Sequence, residues 1–313
     1  MKYVGLQSQI WKNNIRSIVL LVLFPLVIMS LVFVFWLIYS MYQQEAEIDP
    51  LRGFIRTIPW VAAGVMLWFA IAWSTHTSMI NKATGSRPLE RKENKRVYNL
   101  VENLAIAAGM KKMPRINVIE DDSLNAFASG INEKTYTISL SRGIINKLDD
   151  NELESVIAHE LTHIRNKDVR LLIISVIFVG IFAFATQALL RGTLYGGVGR
   201  RRDSKNGIAI ILIIVLAAIG WLLTTLFRFA LSRKREYLAD AGAAELTRKP
   251  YSLASALRKV SGDPRIEAVT RKDVAQMFIE NPGVKKKKGM SFSTLFATHP
   301  PIHERIRVLE GMM

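Results

Sequence analysis

Asp149–Asn166 reads DDNELESVIAHELTHIRN. An aspartate followed three residues later by Glu152 has the form of a capping box, in which each side chain satisfies an otherwise orphaned backbone N–H, so a helix begins at Asp149. The stretch ELESVIAHELTHIRN continues it. On that helix His159, Glu160, Leu161, Thr162 and His163 form an H-E-x-x-H sequence. Side chains four residues apart lie one above the other on a single helical face. Two imidazoles so placed reach one ion at roughly 2.0–2.1 Å. Glu160 falls beside them, positioned to take a proton from a metal-bound water. The ion lowers that water's pKa to about 7, and the resulting hydroxide attacks a peptide carbonyl. The plainer alternative is a capped helix whose two histidines are satisfied elsewhere. The helical context and the cap argue against coincidence.

Outward from this helix, apolar blocks set the class of the 313-residue chain. Hydrophobic residues make up 50% of it, and much of that share lies in residues 17–44, 57–81, 171–190 and 207–227. None of these blocks carries a formal charge unless His76 is protonated. A helix needs about 20 apolar residues to cross the hydrocarbon layer, and all four meet that length. The first block is far longer than the roughly 7–15 apolar residues of a cleavable signal, and no small-residue cleavage site follows it, so it reads as a retained anchor.

The net charge of +16 would point to nucleic acid in a soluble protein. Here the basic residues crowd the ends of apolar blocks: Lys12 and Arg16 before the first, then Lys82, Arg87, Arg91, Lys92, Lys95 and Arg96 after the second. Anionic head groups and the positive-inside bias favour that placement. The expected partner is therefore a lipid bilayer, with no nucleic acid. Absence of cysteine excludes a disulfide framework and thiolate chemistry.

The order along the chain is an N-terminal membrane region (1–81) with two spans, a polar stretch (82–170) with the HELTH helix, two further transmembrane or membrane-hairpin helices (171–227), and a polar tail (228–313). In the polar stretch Val97, Leu100, Val101, Leu104, Ala105 and Ala108 follow helical spacing and stop at Gly109. Arg115–Glu120 alternates like a strand. Ala126–Ser129 and Thr135–Leu140 flank GINEK as a hairpin. The tail carries candidate helices near 228–247, 251–261, 271–280 and 302–311, and its run Lys285–Lys288 reads as a solvated loop, with contact to the lipid surface the alternative.

A catalytic zinc site needs a third protein ligand and an open position. Apart from the motif pair, the histidines are His76, His299 and His303. Topology narrows the choice and makes Glu236 in SRKREYLAD a candidate that can close the site. The HELTH helix ends about eight residues before the third apolar block and the fourth ends nine residues before Glu236, so two crossings return the chain to the side it left. At ~1.5 Å per residue, His163 and Glu236 then stand at similar heights, roughly 12–14 Å from the apolar boundary. Asp240, four residues on and on the same face, suits a carboxylate that holds a ligating imidazole. The alternative is that Glu236 and Asp240 face solvent beside Arg233 and Arg235.

With these segments in order, the sequence resembles the HtpX-type heat-shock membrane metalloproteases, relatives of the CAAX prenyl protease. The resemblance covers most of the chain: paired N-terminal membrane segments, SLNAFASG, VIAHELTHI, two further apolar segments, SRKREYLADAGAAELT and THPPIHERI. It implies one zinc ion on His159, His163 and Glu236, Glu160 as general base, and degradation of misfolded or damaged membrane proteins on the cytoplasmic side of a bacterial inner membrane. It also implies that the strand Asn125, Ala126, Phe127 and Ala128 receives substrate by β-augmentation, with Asn125 a donor to the oxyanion. His299 matches a C-terminal histidine near the metal that donates to the transition state, and Arg305 supports the site. His303 has no such match and reads as a surface residue; His76 reads as interfacial. The fold class expected is mainly α, with four transmembrane helices plus a zincin-like α+β catalytic domain containing a small β-sheet. The partners expected are polypeptide substrates and the bilayer, and a homo-oligomer is left open.

One feature runs against the topology. If the catalytic stretch is cytoplasmic, the connection carrying Arg191, Arg200, Arg201, Arg202 and Lys205 against Asp203 lies outside, contrary to the positive-inside tendency. Either the first two segments dominate, or the last two pack as a hairpin. The main rival function is a non-catalytic membrane adaptor with a vestigial metal site, although a purely structural site has no need of Glu160. A transporter is disfavoured, because the apolar blocks lack intramembrane carboxylates or basic residues. A prenyl-processing protease is expected to carry more membrane segments.

Overall fold

Two long apolar helices come first in the chain. The computed structural model describes residues 6–42, 49–175, 234–261 and 300–312, together with isolated positions between 177 and 219. Helix α1 spans Leu6–Tyr42 and α2 spans Pro50–Thr84. Within them 32 and 35 residues respectively are long and apolar enough to cross a membrane. Their large apolar side chains, among them Val22, Leu26, Trp60 and Met66, stand exposed. Apolar surface of this extent is what hydrocarbon covers, and a helix is the form in which a lone segment satisfies its own backbone there. Phe33 and Phe54 meet edge to face at 5.3 Å. The Trp36 indole N–H donates to Thr57 Oγ1 at 3.0 Å. Gly53 leaves room for that indole, since a Cβ there would stand 2.4 Å from the ring.

The chain divides into two compact units, one of Ile15–Ser74 and Ile174–Phe227, the other of Met1–Asn14, Thr75–Ile173 and Arg228–Met313. The third and fourth apolar blocks lie outside the described residues beyond helical residues 171–175 and the isolated positions. So do the connection 192–206, the candidate helix 271–280 and Lys285–Lys288. His76 lies in the part of α2 that belongs to the second unit and is buried there.

That second unit holds a four-stranded mixed sheet of β1 (Ser86–Pro88), β2 (Arg115–Ile119), β3 (Ala126–Ser129) and β4 (Thr137–Ser141). The strand order is β1-β2-β4-β3. β2 and β4 run parallel, whereas the outer pairs are antiparallel. The hairpin expected around GINEK joins β3 to β4. Gly130 carries φ +109°, and a Cβ there would stand 2.4 Å from the Thr135 carbonyl, so only glycine closes the turn. The Thr135 hydroxyl completes it by accepting from the Ile131 and Asn132 N–H groups.

Helix α3 (Lys95–Ala107) is capped by Asn94, buries Val97, Val101, Leu104 and Ala105, and ends before Gly109 at φ +65°. After β4 come the short α4 (Arg142–Lys147) and the central helix α5 (Asp150–Arg165). Both halves of the predicted capping box are made: Asp149 accepts from the Glu152 N–H and Glu152 from the Asp149 N–H. Arg96 of α3 donates to the Ile145 and Leu148 carbonyls at 2.8 Å each, satisfying groups at the end of α4.

From Val156 to Ile164 every residue of α5 is buried. It lies among β3, α3, α6 (Lys234–Thr247) and α7 (Pro250–Val260). The last helix, α8 (Ile302–Glu310), packs on α6 and α7. Ser255 and Lys259 of α7 bind the Glu152 carboxylate at 2.8 and 2.6 Å, tying that helix to the first turn of α5.

The approach of α6 to α5 depends on Gly242, where a Cβ would stand 2.5 Å from Thr162 Cγ2. Gly242→Ala is expected to destabilise the protein by about 1–3 kcal/mol through overpacking, despite the ~1 kcal/mol that alanine gains in a helix. Adding Thr162→Ser, which removes the opposing methyl, should recover most of the loss. Thermal unfolding of the two single variants and the double variant in detergent checks this, and additive losses would refute it.

Candidate metal centre

Because α5 is regular, His159 and His163 project from one of its faces, with ring centroids 4.7 Å apart and Nε2 atoms 3.1 Å apart. Glu236, in the first turn of α6, completes the group. Its Oε2 stands 3.7 Å from His159 Nε2 and its Oε1 3.7 Å from His163 Nε2. Among the described residues, these three side chains are the group whose ligand atoms all lie within 4.8 Å of one another. His159 and Glu236 are no more than 1% exposed.

The outer ring nitrogens decide what the inner ones do. His159 Nδ1 is 3.0 Å from Asp240 Oδ1, and His163 Nδ1 is 3.0 Å from Asp168 Oδ2. With a carboxylate facing each Nδ1, the Nε2 atoms are the ones turned toward Glu236. Two imidazole nitrogens and a carboxylate then converge on one buried point, an arrangement that a cation relieves. Donors bound tetrahedrally at roughly 2.0–2.1 Å from an ion stand about 3.3–3.4 Å apart. The separations of 3.1 and 3.7 Å bracket that spacing, so the residues fit a zinc-like ion.

Asp240 is itself held. Arg305, fully buried on α8, donates to it from Nε at 2.9 Å and from Nη2 at 2.7 Å. Burial would raise the Asp240 pKa, but the charge and hydrogen bonds of Arg305, with those of His159, outweigh it and hold the group down at about 2. For His159 burial opposes protonation, yet the nearby carboxylates of Asp240 and Glu236 prevail and push it up to about 9. Burial raises the Glu160 pKa. Arg305 Nη1 and Arg235 Nη2 lie 3.8 and 3.6 Å from the Glu236 carboxylate, supplying positive charge to a site rich in acids.

Glu160 lies beside the sheet edge, close enough for the Ala128 backbone N–H to lower its proton affinity slightly against the larger effect of burial. β3 is an edge strand. The Ser141 N–H donates to the Asn125 carbonyl, so by antiparallel alternation Ala126 and Ala128 turn their backbone groups away from β4. The Ala126 N–H is met by Asn125 Oδ1 at 3.0 Å. Asn125, Ala126, Phe127 and Ala128 are all buried.

The structure thus gathers His159, Glu160, His163, Glu236, Asp240 and Arg305 at one place, with Asn125–Ala128 at the edge beside Glu160. The alternative of a solvent-facing Glu236 and Asp240 is overturned by their burial. His299 lies outside the described residues, and His303 is exposed. Asp168, which escaped the sequence reading, holds His163. Its signal was local: Asn166 and Lys167 end the helix, and Lys167 at φ 59° reverses the chain so that Asp168 folds back on the ring.

The family model described as Peptidase family M48 matches residues 91–313. A Protease HtpX homolog of Bacteroides fragilis (strain YCH46) is 57% identical over 323 aligned residues, covering 99% of this chain and 99% of its own. Proteins of the same name from Dictyoglomus thermophilum and Lactobacillus acidophilus are 42% and 33% identical, covering 80% and 98% of this chain and 81% and 100% of theirs. The crystal structure of S. mikatae Ste24p superposes with a TM-score of 0.49 at 19% identity, covering 96% of this chain and 67% of that one.

With His159 protonated up to about pH 9 in the metal-free site, ion binding must expel its proton. Titration of metal-free protein with zinc near pH 7.5, by calorimetry in buffers of different ionisation enthalpy, should release about one proton per ion. Apparent affinity should fall about tenfold for each pH unit below that pKa, and release should fade above pH 9. Proton-neutral binding at pH 7.5 would contradict the electrostatics described.

Proposed function

The chain belongs to peptidase family M48 and carries two helices fit to cross a membrane, and from that premise we propose that it is a membrane zinc endopeptidase degrading misfolded or damaged membrane proteins. The metalloprotease domain is assembled from residues 82–170 and 228–313. We read residues 171–227 as contributing two further transmembrane or membrane-hairpin helices, and the catalytic domain as zincin-like α+β. The catalytic side is cytoplasmic, in a bacterial inner membrane.

The observation that carries this reading is the meeting of two imidazole Nε2 atoms and the Glu236 carboxylate at 3.1–3.7 Å, with Glu160 on the same helix beside them. His159, His163 and Glu236 would hold zinc, which would supply the Lewis acidity to polarise a peptide carbonyl and acidify water. Glu160 takes the proton of the attacking water and passes it to the leaving amine. Its burial, which raises its affinity for a proton, suits that relay. Asp240 and Asp168 keep both rings oriented while charge moves. Substrate adds to the edge of β3 as an extended strand, so Asn125–Ala128 grip backbone without selecting side chains, as a protease for damaged chains requires. Asn125 and His299 donate to the developing oxyanion.

Glu160→Gln is expected to retain one zinc per chain while lowering caseinolytic activity by about 10²–10⁴-fold or more. Glu236→Ala should lose the metal as well, and a chelator should silence the wild type until zinc is returned. Metal analysis beside the cleavage assay checks all three. Full activity in Glu160→Gln would remove the mechanism, and zinc-loaded wild type without any cleavage would favour a non-catalytic adaptor.

A further inference from the structure

Asn13 is an amide buried to 1% exposure on α1, and it precedes residues 91–313 matched by the family model. Both N–H groups of its side chain are used at once. One donates to Asp168 Oδ1 at 2.7 Å, and the other to the Asn166 carbonyl at 2.8 Å. Asp168, 1% exposed, presents its other oxygen to His163 Nδ1 at 3.0 Å. Asn166 caps the end of α5, where a carbonyl has no partner within its own helix. Two donors on one planar amide therefore fix the carboxylate against the chain reversal that carries it.

We propose that Asn13 is a positioning residue for the metal site: by clamping Asp168 it sets the orientation of the His163 ring, and it ties metal affinity to a helix more than 150 residues away in sequence. The inference rests on the reading of His159, His163 and Glu236 as metal ligands. A carboxylate anchored at one oxygen cannot swing away from the imidazole it holds, and a ligand held in its binding rotamer loses less freedom when the ion arrives. The same helix continues from Asn13 into the first apolar segment. The clamp thus makes the N-terminal helix part of the metal site's support.

The test is zinc affinity of the purified full-length protein in detergent, measured by competition with a chromophoric chelator, together with the unfolding temperature of the metal-free form. Removing the partner of a metal-bound histidine weakens binding by about 10–100-fold. Asp168→Ala should fall in that range, and Asn13→Ala, one bond further out, should cost about 3–10-fold. In an Asp168→Ala background Asn13→Ala should add less than about twofold, since its path to the ring is gone. If Asn13→Ala does not yield folded protein, Asn13→Ser, which keeps one donor, is read in the same way. Unchanged zinc affinity with a lowered unfolding temperature would make Asn13 a cap on α5 alone and overturn the proposal, as would a full extra loss in the double variant. Failure of the metal reading looks different: wild type would bind no stoichiometric zinc, or Glu236→Ala would bind it as tightly as wild type.

Discussion

Two imidazoles and a carboxylate whose ligand atoms lie within 4.8 Å of one another in a water-poor interior are the constraint on which the rest of this structure turns. Left to themselves, two imidazole lone pairs and a carboxylate repel or take up a proton. The elevated proton affinity of His159 is the trace of that demand. The surroundings prevent the alternative of rotating the rings away. Asp240 and Asp168 engage the outer nitrogens, and Arg305 and Asn13 engage those carboxylates in turn. Each ring is thus buttressed by an acid that is itself hydrogen-bonded.

Such a site asks for buried charge, and the fold supplies compensation. Taking an ion pair out of water is costly unless the geometry is good and the remaining lone pairs are met. The two-pronged contact of Arg305 with Asp240 meets that condition. Arg305 comes from α8, Asp240 from α6 and His159 from α5, so three helices must pack correctly before the charges balance. This explains why α5 is buried along its length although it carries two histidines and a glutamate. Its charged face is turned to other charges, and its apolar residues Leu153, Val156, Ile157, Leu161 and Ile164 fill the core.

The sheet contributes position more than chemistry. Ala126 and Ala128 turn their backbone groups to the outer edge of β3, beside Glu160. Gly143 permits another close approach: a Cβ there would stand 1.9 Å from the Asp122 carbonyl, so the start of α4 depends on its absence.

Much of this was legible in the chain itself. The capping box at Asp149, the i, i+4 spacing of His159 and His163, the amphipathic stripe of α3 and the GINEK hairpin are local patterns, and each formed as read. The apolar length of α1 and α2 was equally plain. Glu236 stood open between ligand and solvent-facing residue, because counting membrane crossings gives a height above the apolar boundary but no direction. Local sequence determines what a helix is and which residues share its face, since hydrogen bonds and side-chain spacing repeat every few residues. Only packing decided that Glu236 turns inward, that Arg305 finds Asp240, and that Asn13 reaches Asp168 across 155 positions. Those contacts arise from how separate helices dock, and docking is settled by the shape of whole surfaces.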